Sequence, residues 1–112
     1  MAKYEAALRG EFDELLQVIH QAVTTGSSSA SLEDQSDFSA PGVRCAVRVY
    51  ERYSMIGGNR VSLSVTLLEA GGSLRVSAIA SGGSQAVFFK INTFGEEAFL
   101  NTLSSILESY RI

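Results

Sequence analysis

The sequence predicts an α+β domain of two layers, in which an antiparallel sheet of five or six strands carries two helices on one face. Short segments of alternating apolar and polar residues, separated by glycine pairs, predict the strands, and two longer segments with apolar residues every three or four positions predict the helices. The segments follow the order β-α-β-β-β-β(-β)-α. A chain of 112 residues is long enough for one core, so we expect residues 1–112 to form a single domain.

The first quarter of the chain predicts a strand and then a helix. Residues 3–9 alternate between apolar and charged side chains, as a half-buried strand does, and Gly10 ends the pattern. From Glu11 to Gly26 apolar residues return every three or four positions, and acidic residues occupy the first turn, where the helix dipole favours them. The apolar positions of this helix are Phe12, Leu15, Leu16, Ile19, Ala22 and Val23.

The segment between this helix and the turn at Pro41–Gly42 gives a weaker signal. It is rich in serine and acidic residues, but alternation around residues 28–34 predicts an edge strand that continues into a loop.

Three stronger strands follow the turn. The first carries four apolar residues on one face, which we expect to be its buried side: Val43, Cys45, Val47 and Val49. The next two begin after turns at Gly57–Asn59 and Gly71–Gly72 and keep apolar residues at every second position. Their apolar residues are Val61, Leu63, Val65 and Leu67, then Leu74, Val76, Ala78 and Ala80.

The C-terminal part of the chain predicts a short strand and a helix. Residues 86–91 suit either a strand or the lead-in to a helix, and we predict a strand. Thr93, with Glu96 three positions later, matches a capping box, which predicts that the helix begins there. The apolar stripe of this helix consists of Phe99, Leu100, Leu103, Ile106, Leu107 and Tyr110.

Two resemblances bear on these predictions. The element order is similar to that of the helix-grip and TATA-binding-protein-like architecture, in which a curved antiparallel sheet wraps around a C-terminal helix. Four stretches also resemble a small bacterial family of unknown function: Ser31–Asp34, Arg44–Tyr53, Gly57–Val61 and Ser81–Ala86. The resemblance implies a bacterial intracellular protein, and it implies no functional residues.

Composition excludes several classes of protein. A 46% apolar content with a net charge of −3 is typical of a folded chain without general affinity for nucleic acid. No apolar run approaches the roughly 18 residues of a membrane helix, so we expect no membrane partner. One cysteine cannot form an intrachain disulfide, and residues 1–25 show no secretory signal pattern. We therefore expect a cytoplasmic protein.

The residues that catalysis requires are sparse. His20 and Cys45 are the only residues of their kinds, and their spacing from carboxylates matches no metal site, so we expect no metal and no cofactor. His20 falls at the edge of the apolar stripe of its helix, and Cys45 is expected to be a small buried hydrophobe. The loop Gly82–Gly83–Ser84 suits a hairpin turn, although backbone N–H groups beside glycines can also bind an anion.

Basic residues concentrate in the predicted middle strands, since residues 44–75 contain five arginines and two acidic residues. Strand alternation places most of these arginines on what we expect to be one open surface. The candidate ligand-binding residues of that surface are Arg44, Arg48, Tyr50, Arg52 and Arg75. Arginine binds carboxylates and phosphates through paired hydrogen bonds, so the surface suits an anionic ligand or an acidic partner. The alternative is a solvated face, or one covered by the acidic segment Glu33–Asp37.

These observations favour a non-catalytic binding module that forms a homodimer through an edge or a face of its sheet. A second hypothesis is a binding protein of helix-grip type, with a small apolar ligand between the sheet and the C-terminal helix. The side chains that would line that space are Val47, Leu63, Val65, Val76, Phe88, Phe89, Phe99 and Leu103. A chain of this length also needs these side chains to fill its core. A third hypothesis is an enzyme for an anionic substrate, using Arg48, Tyr50, Glu51 and the Gly82–Ser84 loop.

Overall fold

Five antiparallel strands form one sheet, and two helices pack on one of its faces. The structure is a computed structural model and describes residues 1–53, 60–82 and 89–112. The elements are β1 (Ala2–Leu8), α1 (Phe12–Gly26), β2 (Ser31–Ala40), β3 (Val43–Tyr53), β4 (Arg60–Ala70), β5 (Ser73–Gly82) and α2 (Phe89–Leu107), followed by a 3-10 turn (Glu108–Tyr110). The strand order is β1-β5-β4-β3-β2. The predicted α+β fold and its element order are therefore confirmed.

The connection between β4 and β5 shows how local chemistry sets the sheet register. Gly71 and Gly72 both adopt positive φ, 58° and 80°, as a two-residue hairpin turn requires. The turn pairs Ala70 with Ser73, and the pairing then continues without interruption to Val61 and Gly82. Alternate residues of the two strands therefore share one buried face, as predicted.

The strand predicted around residues 28–34 lies further along the chain and is longer. β2 spans Ser31–Ala40, so the loop predicted after residue 34 is wrong. The turn at Pro41–Gly42 directly joins β2 to β3, and the backbone pairing that starts between Ala40 and Val43 overrides the weak strand propensity of the serines and acidic residues. A register shift between Leu32 and Asp34 marks a β-bulge near the start of the strand.

The strand predicted for residues 86–91 is wrong where the structure describes it. α2 begins at Phe89, so residues 89–91 are helical, while residues 86–88 lie outside the described ranges, as does the predicted turn at Gly57–Asn59. The capping box does not start the helix either, because Thr93 falls in the second turn of α2. Glu96 accepts a hydrogen bond from β5 instead.

The core lies between the two helices and the β1, β5 and β4 part of the sheet. α2 packs on β5, β1 and β4, and α1 packs on α2 and β4. β2 contributes only Leu32, which is half-buried, and its other nine residues are exposed. In the part of the chain that the structure describes, no helix has the length and apolarity to cross a membrane.

The apolar residues of β3 predict that its odd-numbered positions face the helices. In the structure its even-numbered positions face them instead. Tyr50 is completely buried and Ala46 almost so, whereas Val43 is 38% exposed. The register explains this, because Tyr50 pairs with Leu63 of β4, a core residue, while Val47 pairs with Thr66. The prediction that Val43, Cys45, Val47 and Val49 face the core is therefore wrong. They lie on the face away from the helices, which we call the open face.

Candidate functional site

Three arginines lie on the helix side of β3, and we call them the arginine row: Arg44, Arg48 and Arg52. Arg44 forms two hydrogen bonds to the carboxylate of Asp13 in α1, at 3.1 and 2.9 Å. Its guanidinium also lies 4.2 Å from the centre of the Phe12 ring. The paired hydrogen bonds lower the pKa of Asp13 and raise that of Arg44. Because both groups are solvent-accessible, the pair contributes little to stability.

The other two arginines bury more of their side chains. The side chain of Arg48 is 15% exposed, and its Nη1 donates to Asp37 of β2 and to the Val47 carbonyl, both at 3.0 Å. Arg52 places its guanidinium 4.8 Å from the centre of the Phe99 ring of α2. Burial lowers the pKa of Arg52. The long apolar stems of these side chains thus help to cover the core at its β3 side.

The arginine row is largely satisfied within the chain. An anionic ligand that binds Arg44 or Arg48 has to compete with the carboxylates of Asp13 and Asp37. The hollow lined by Asp37 and Arg44 measures about 150 Å³, and a wider one of about 540 Å³ on the other side of Arg44 contains the carboxylate of Glu69. The arrangement therefore suits a structural network better than a ready anion site.

Tyr50 connects the centre of the arginine row to α1. Its ring is fully buried, and its hydroxyl lies 3.1 Å from Nδ1 of His20, which is exposed on α1. Burial raises the pKa of Tyr50 to about 12, while the charge of Arg48 acts in the opposite direction. Nδ1 of His20 is thus engaged with the Tyr50 hydroxyl. In the described ranges no three side chains that could hold a metal ion come together.

Gly82 lies at the end of β5, beside a buried carboxylate. Its backbone N–H donates to Glu96 of α2 at 2.7 Å, and Glu96 is only 5% exposed. Gly83 and Ser84, the rest of the predicted anion-binding loop, lie outside the described residues. At Gly82 the nearest charged partner is therefore an acidic side chain of the protein itself, which disfavours an anion at this position.

The Glu96 contact gives a testable expectation for stability. A Glu96→Ala variant should lose about 1–3 kcal/mol of unfolding free energy, because the N–H of Gly82 loses a charged acceptor in a buried setting. The variant also removes the ion pair between Glu96 and the N-terminal ammonium of Met1, at 3.0 Å. Glu97→Ala is the matched control, since this neighbouring side chain is exposed, and its loss should stay within about 0.5 kcal/mol. Urea unfolding followed by circular dichroism measures both. Equal losses for the two variants would contradict the contact.

The open face carries a group of neighbouring apolar side chains that the described helices leave uncovered. Its centre is the valine stripe, which consists of Val43, Cys45, Val47 and Val49 of β3. Phe38 of β2 and Leu68 of β4 flank this stripe, because both pair with Cys45 across the sheet. Phe38 is 65% exposed. A bulky apolar residue on an uncovered sheet face is the informative exception to ordinary surface composition.

Charged residues of the open face lie around this apolar area. Arg60, at one end of β4, lies 2.9 Å from Glu51. Arg75 lies on β5, paired with Leu68 in the sheet register. In the rows that face Ser36–Ala40 of β2, the open-face side chains of β2, β3 and β4 are uncharged: Ser36, Phe38, Ala40, Val43, Cys45, Val47, Thr66, Leu68 and Ala70. Asp34, which pairs with Val49, is the charged residue at the end of this area on β2.

The structure thus separates the arginines that the sequence groups together. Arg44, Arg48, Tyr50 and Arg52 share the helix side of β3, whereas Arg75 lies on the open face. The prediction that they share one open surface is therefore wrong. Two features were missed: the carboxylate partners of the arginine row, and the apolar area of the open face. The turn at Pro41–Gly42 offered a signal, since it pairs β2 with β3 and brings Asp37 close to Arg48.

These surfaces belong to a small α+β domain whose described residues cover one face of the sheet with helices and leave the other face open. Over residues 1–111 the chain matches a family of unknown function (DUF6054). The chain belongs to this family, which confirms the resemblance to a family of unknown function. The bacterial source and the likeness to the helix-grip architecture stay predictions. No curated protein matches the chain, and no solved structure matches it.

Proposed function

We propose that the protein is a non-catalytic, self-associating module, and that two copies dimerise through the apolar area of their open faces. The valine stripe with Phe38 and Leu68 is the observation that carries this proposal. It presents apolar side chains on a face that the described helices leave uncovered. Two such faces pack at a distance of about 10 Å in β-sandwiches, where apolar side chains of both sheets interdigitate.

The sheet edges are less suitable for a dimer. At the β1 edge, the C-terminal residues pair with the end of the strand and so shorten the free edge: the N–H of Ile112 donates to the Ala7 carbonyl at 3.0 Å, and Arg111 pairs with Leu8. The β2 edge carries Glu33, Asp34 and Asp37. Pairing of β2 with its own copy would bring six carboxylates onto adjacent strands, and like charges across a strand pair repel.

The size of the apolar area sets the expected strength of the dimer. Three strands with a spacing of about 4.8 Å, over the roughly seven residues from Val43 to Val49, cover on the order of 300 Å² per protomer. The total of roughly 600 Å² lies below the about 1,000 Å² of stable specific interfaces, in the range of weak and transient ones. We therefore expect a weak, reversible dimer whose population rises with protein concentration.

A Val47→Lys variant tests this proposal. Lysine at the centre of the valine stripe would place two charges in the apolar interface, so the dissociation constant should rise by about tenfold or more. The monomer should keep its fold, because Val47 does not face the core. Sedimentation equilibrium over a range of concentrations measures the association, and thermal unfolding checks the fold.

Ser77→Lys is the matched control for Val47→Lys. Ser77 lies on the same open face, but on β5, next to the polar margin that includes Glu5 and Arg75. This variant should dimerise like the natural protein. If the natural chain stays monomeric at high micromolar concentration, or if both lysine variants dimerise equally well, the open face is not the interface.

Two further parts of the proposal concern the cellular setting and small molecules. We propose a cytoplasmic location, which is supported by the single half-buried thiol of Cys45 and its freedom from disulfide pairing in reducing conditions. We do not favour a small apolar ligand between sheet and helices. Leu63, Val65, Phe99 and Leu103 are all at most 1% exposed and belong to one packed core.

A further inference from the structure

The outer edge of β2 is an interaction surface separate from the open face. β2 spans Ser31–Ala40 and ends the strand order, so β3 is its only strand neighbour among the described residues. We propose that this edge binds an extended, basic segment of a partner protein, which joins the sheet as an additional strand. Such strand addition combines backbone hydrogen bonds, which give affinity, with side-chain contacts, which give specificity. Strand addition at this edge does not require the open-face dimer.

The hairpin between β2 and β3 determines which backbone groups of β2 point outward. Ala40 pairs with Val43 across the two turn residues, as in a turn whose first carbonyl accepts a hydrogen bond from the N–H of the fourth residue. Hydrogen-bonded and non-hydrogen-bonded pairs alternate along antiparallel strands. Phe38 therefore bonds to β3, whereas the N–H and C=O groups of Asp37 and Ser39 point away from it. These outward groups are the ones that an added strand would bind.

The regular part of this edge begins at Gln35. The β-bulge between Leu32 and Asp34 interrupts the pairing before it. The N–H of Gln35 donates to Oδ1 of Asp34 at 2.8 Å, which agrees with an outward direction two positions before Asp37. An added strand would replace this carboxylate oxygen with one of its own carbonyls. The charge of Asp34 would then be available to a basic side chain of the partner.

Acidic side chains lie on both faces of this edge. Asp34 pairs with Val49 and lies on the open face, while Asp37 pairs with Ala46 and lies on the helix side. Oδ1 of Asp37 accepts a hydrogen bond from Arg48, but the Asp37 side chain is 56% exposed and stays accessible to a second cation. β2 itself contains no basic residue. Lysine or arginine on a neighbouring strand would therefore meet opposite charge on either face.

The charge of the edge selects among possible partners. A second copy of β2 would place carboxylates beside carboxylates, and nucleic acid would bring phosphates to the same groups. An uncharged strand would gain the backbone hydrogen bonds alone. Charged side chains on native edge strands prevent unselective pairing. The same side chains favour a basic segment, since only this partner gains the backbone hydrogen bonds and the charge pairs together.

A short synthetic peptide of the sequence Lys-Thr-Val-Lys-Val-Thr-Lys tests the proposal. Its palindromic order places lysines opposite Asp34 and Asp37, and a valine opposite Phe38, in either strand direction. Two control peptides share its length. One carries glutamate in place of every lysine, and the other keeps the sequence but has methyl groups on its backbone nitrogens, so that it retains the charge and loses its hydrogen-bond donors. Fluorescence anisotropy of labelled peptides, titrated with the full chain, measures binding.

We expect the lysine peptide to bind saturably, with a dissociation constant on the order of 100 μM or below. Both control peptides should bind at least about tenfold more weakly. Three results would overturn the proposal. The lysine peptide may show no saturation up to about 1 mM protein. Equal binding of the methylated peptide would reduce the interaction to charge attraction without strand pairing. Equal binding of the glutamate peptide would remove the selection for a basic partner.

Two variants of the chain locate the binding at the β2 edge. Ser39→Pro removes an outward N–H, a change that edge strands tolerate because the hydrogen bonds to the neighbouring strand stay intact. It should weaken binding of the lysine peptide by about tenfold, with thermal unfolding as the check on the fold. Asp34→Asn should weaken binding several-fold, whereas Glu14→Gln, which removes an exposed charge from α1, should leave it unchanged.

Equal effects of Asp34→Asn and Glu14→Gln, or full binding by a folded Ser39→Pro chain, would place the peptide elsewhere and overturn the proposal. If Ser39→Pro does not fold, the methylated peptide tests the same backbone pairing from the side of the partner. Failure of these experiments would leave the open-face dimer in place, because sedimentation equilibrium tests that dimer without any peptide.

Discussion

Replacing Tyr50 by alanine is expected to destabilise the protein by about 3–5 kcal/mol, the range for truncation of a buried aromatic side chain. The ring of Tyr50 is fully buried and belongs to the core cluster. Its hydroxyl is also hydrogen-bonded to His20, so the variant loses a buried contact together with its packing. Urea unfolding at a concentration where the protein is monomeric measures the loss.

Val47→Ala is the matched control on the same strand. Val47 is half-exposed on the open face, so truncation should cost about 1 kcal/mol or less in the monomer. The two variants together test the orientation of β3, because odd-numbered and even-numbered residues of one strand face opposite sides of the sheet. A larger loss for Val47→Ala than for Tyr50→Ala would show that β3 buries its valines.

The orientation of β3 could not be predicted because it depends on the length of the β3–β4 connection. Alternation has a period of two, so a change of one residue in a loop exchanges the faces of a whole strand. A three-residue turn at Gly57–Asn59 would pair residues of like parity and put the valines of β3 beside those of β4. In the structure Tyr53 pairs with Arg60 across six intervening residues, and odd positions of β4 therefore meet even positions of β3.

The composition of β3 also favoured the wrong face as the buried one. A row with three arginines resembles a solvated surface, yet the guanidinium groups of Arg44 and Arg52 lie over aromatic rings of the helices. Arginine can cover apolar surface with its stem while its head reaches water or a carboxylate. Hydrophobicity by itself therefore predicted that the odd-numbered valines of β3 are buried. The residues of β3 that the core contains are Ala46 and Tyr50.

Elements with strong local signals were predictable. β1 and α1 follow from their periodicity, and the glycine pair Gly71–Gly72 determined the β4–β5 register. The start of α2 was not predictable, because the apolar run around residues 86–91 has no periodicity that distinguishes a strand from a helix. Tertiary pairing, which no local pattern encodes, likewise extended β2 through Asp37 and Phe38.

The candidate site was predictable only in part. The sequence predicts self-association through an edge or a face of the sheet, and it predicts that the arginine-bearing face is the open one. The apolar area of the open face could not be predicted without knowing which side of β3 faces the helices. Phe38, Cys45 and Leu68 fall into one row because of two separate registers, that of β2 with β3 and that of β3 with β4. Each register depends on the length of a connection, so the row is a property of the fold and not of any sequence motif.

Alkaline pH should destabilise the natural protein through Tyr50. Burial raises the pKa of this side chain to about 12, whereas an unfolded tyrosine titrates near pH 10. The folded state thus keeps a proton that the unfolded state has lost. The contribution of Tyr50 is fully present below pH 10 and is lost as the pH rises toward 12, at up to about 1.4 kcal/mol for each pH unit.

A Tyr50→Phe variant isolates this contribution, because it keeps the ring and removes the titrating hydroxyl. At pH 8 we expect it to be less stable than the natural protein by about 1 kcal/mol, since it loses the hydrogen bond to His20. Around pH 11 the order should reverse, because only the natural protein must keep a buried hydroxyl protonated. Urea unfolding at pH values from 8 to 11 measures both chains.

Tyr4 makes the comparison between the two chains necessary. Burial, together with its hydrogen bond to Glu108, raises the pKa of Tyr4 to about 12 as well, so the natural protein alone would show alkaline destabilisation from two groups. Tyr50→Phe retains the Tyr4 contribution, and the difference between the chains therefore reports on Tyr50. If the difference in unfolding free energy between the two chains stayed constant from pH 8 to pH 11, the Tyr50 hydroxyl would lie in solvent. The valines of β3 would then face the core, as its apolar residues predict.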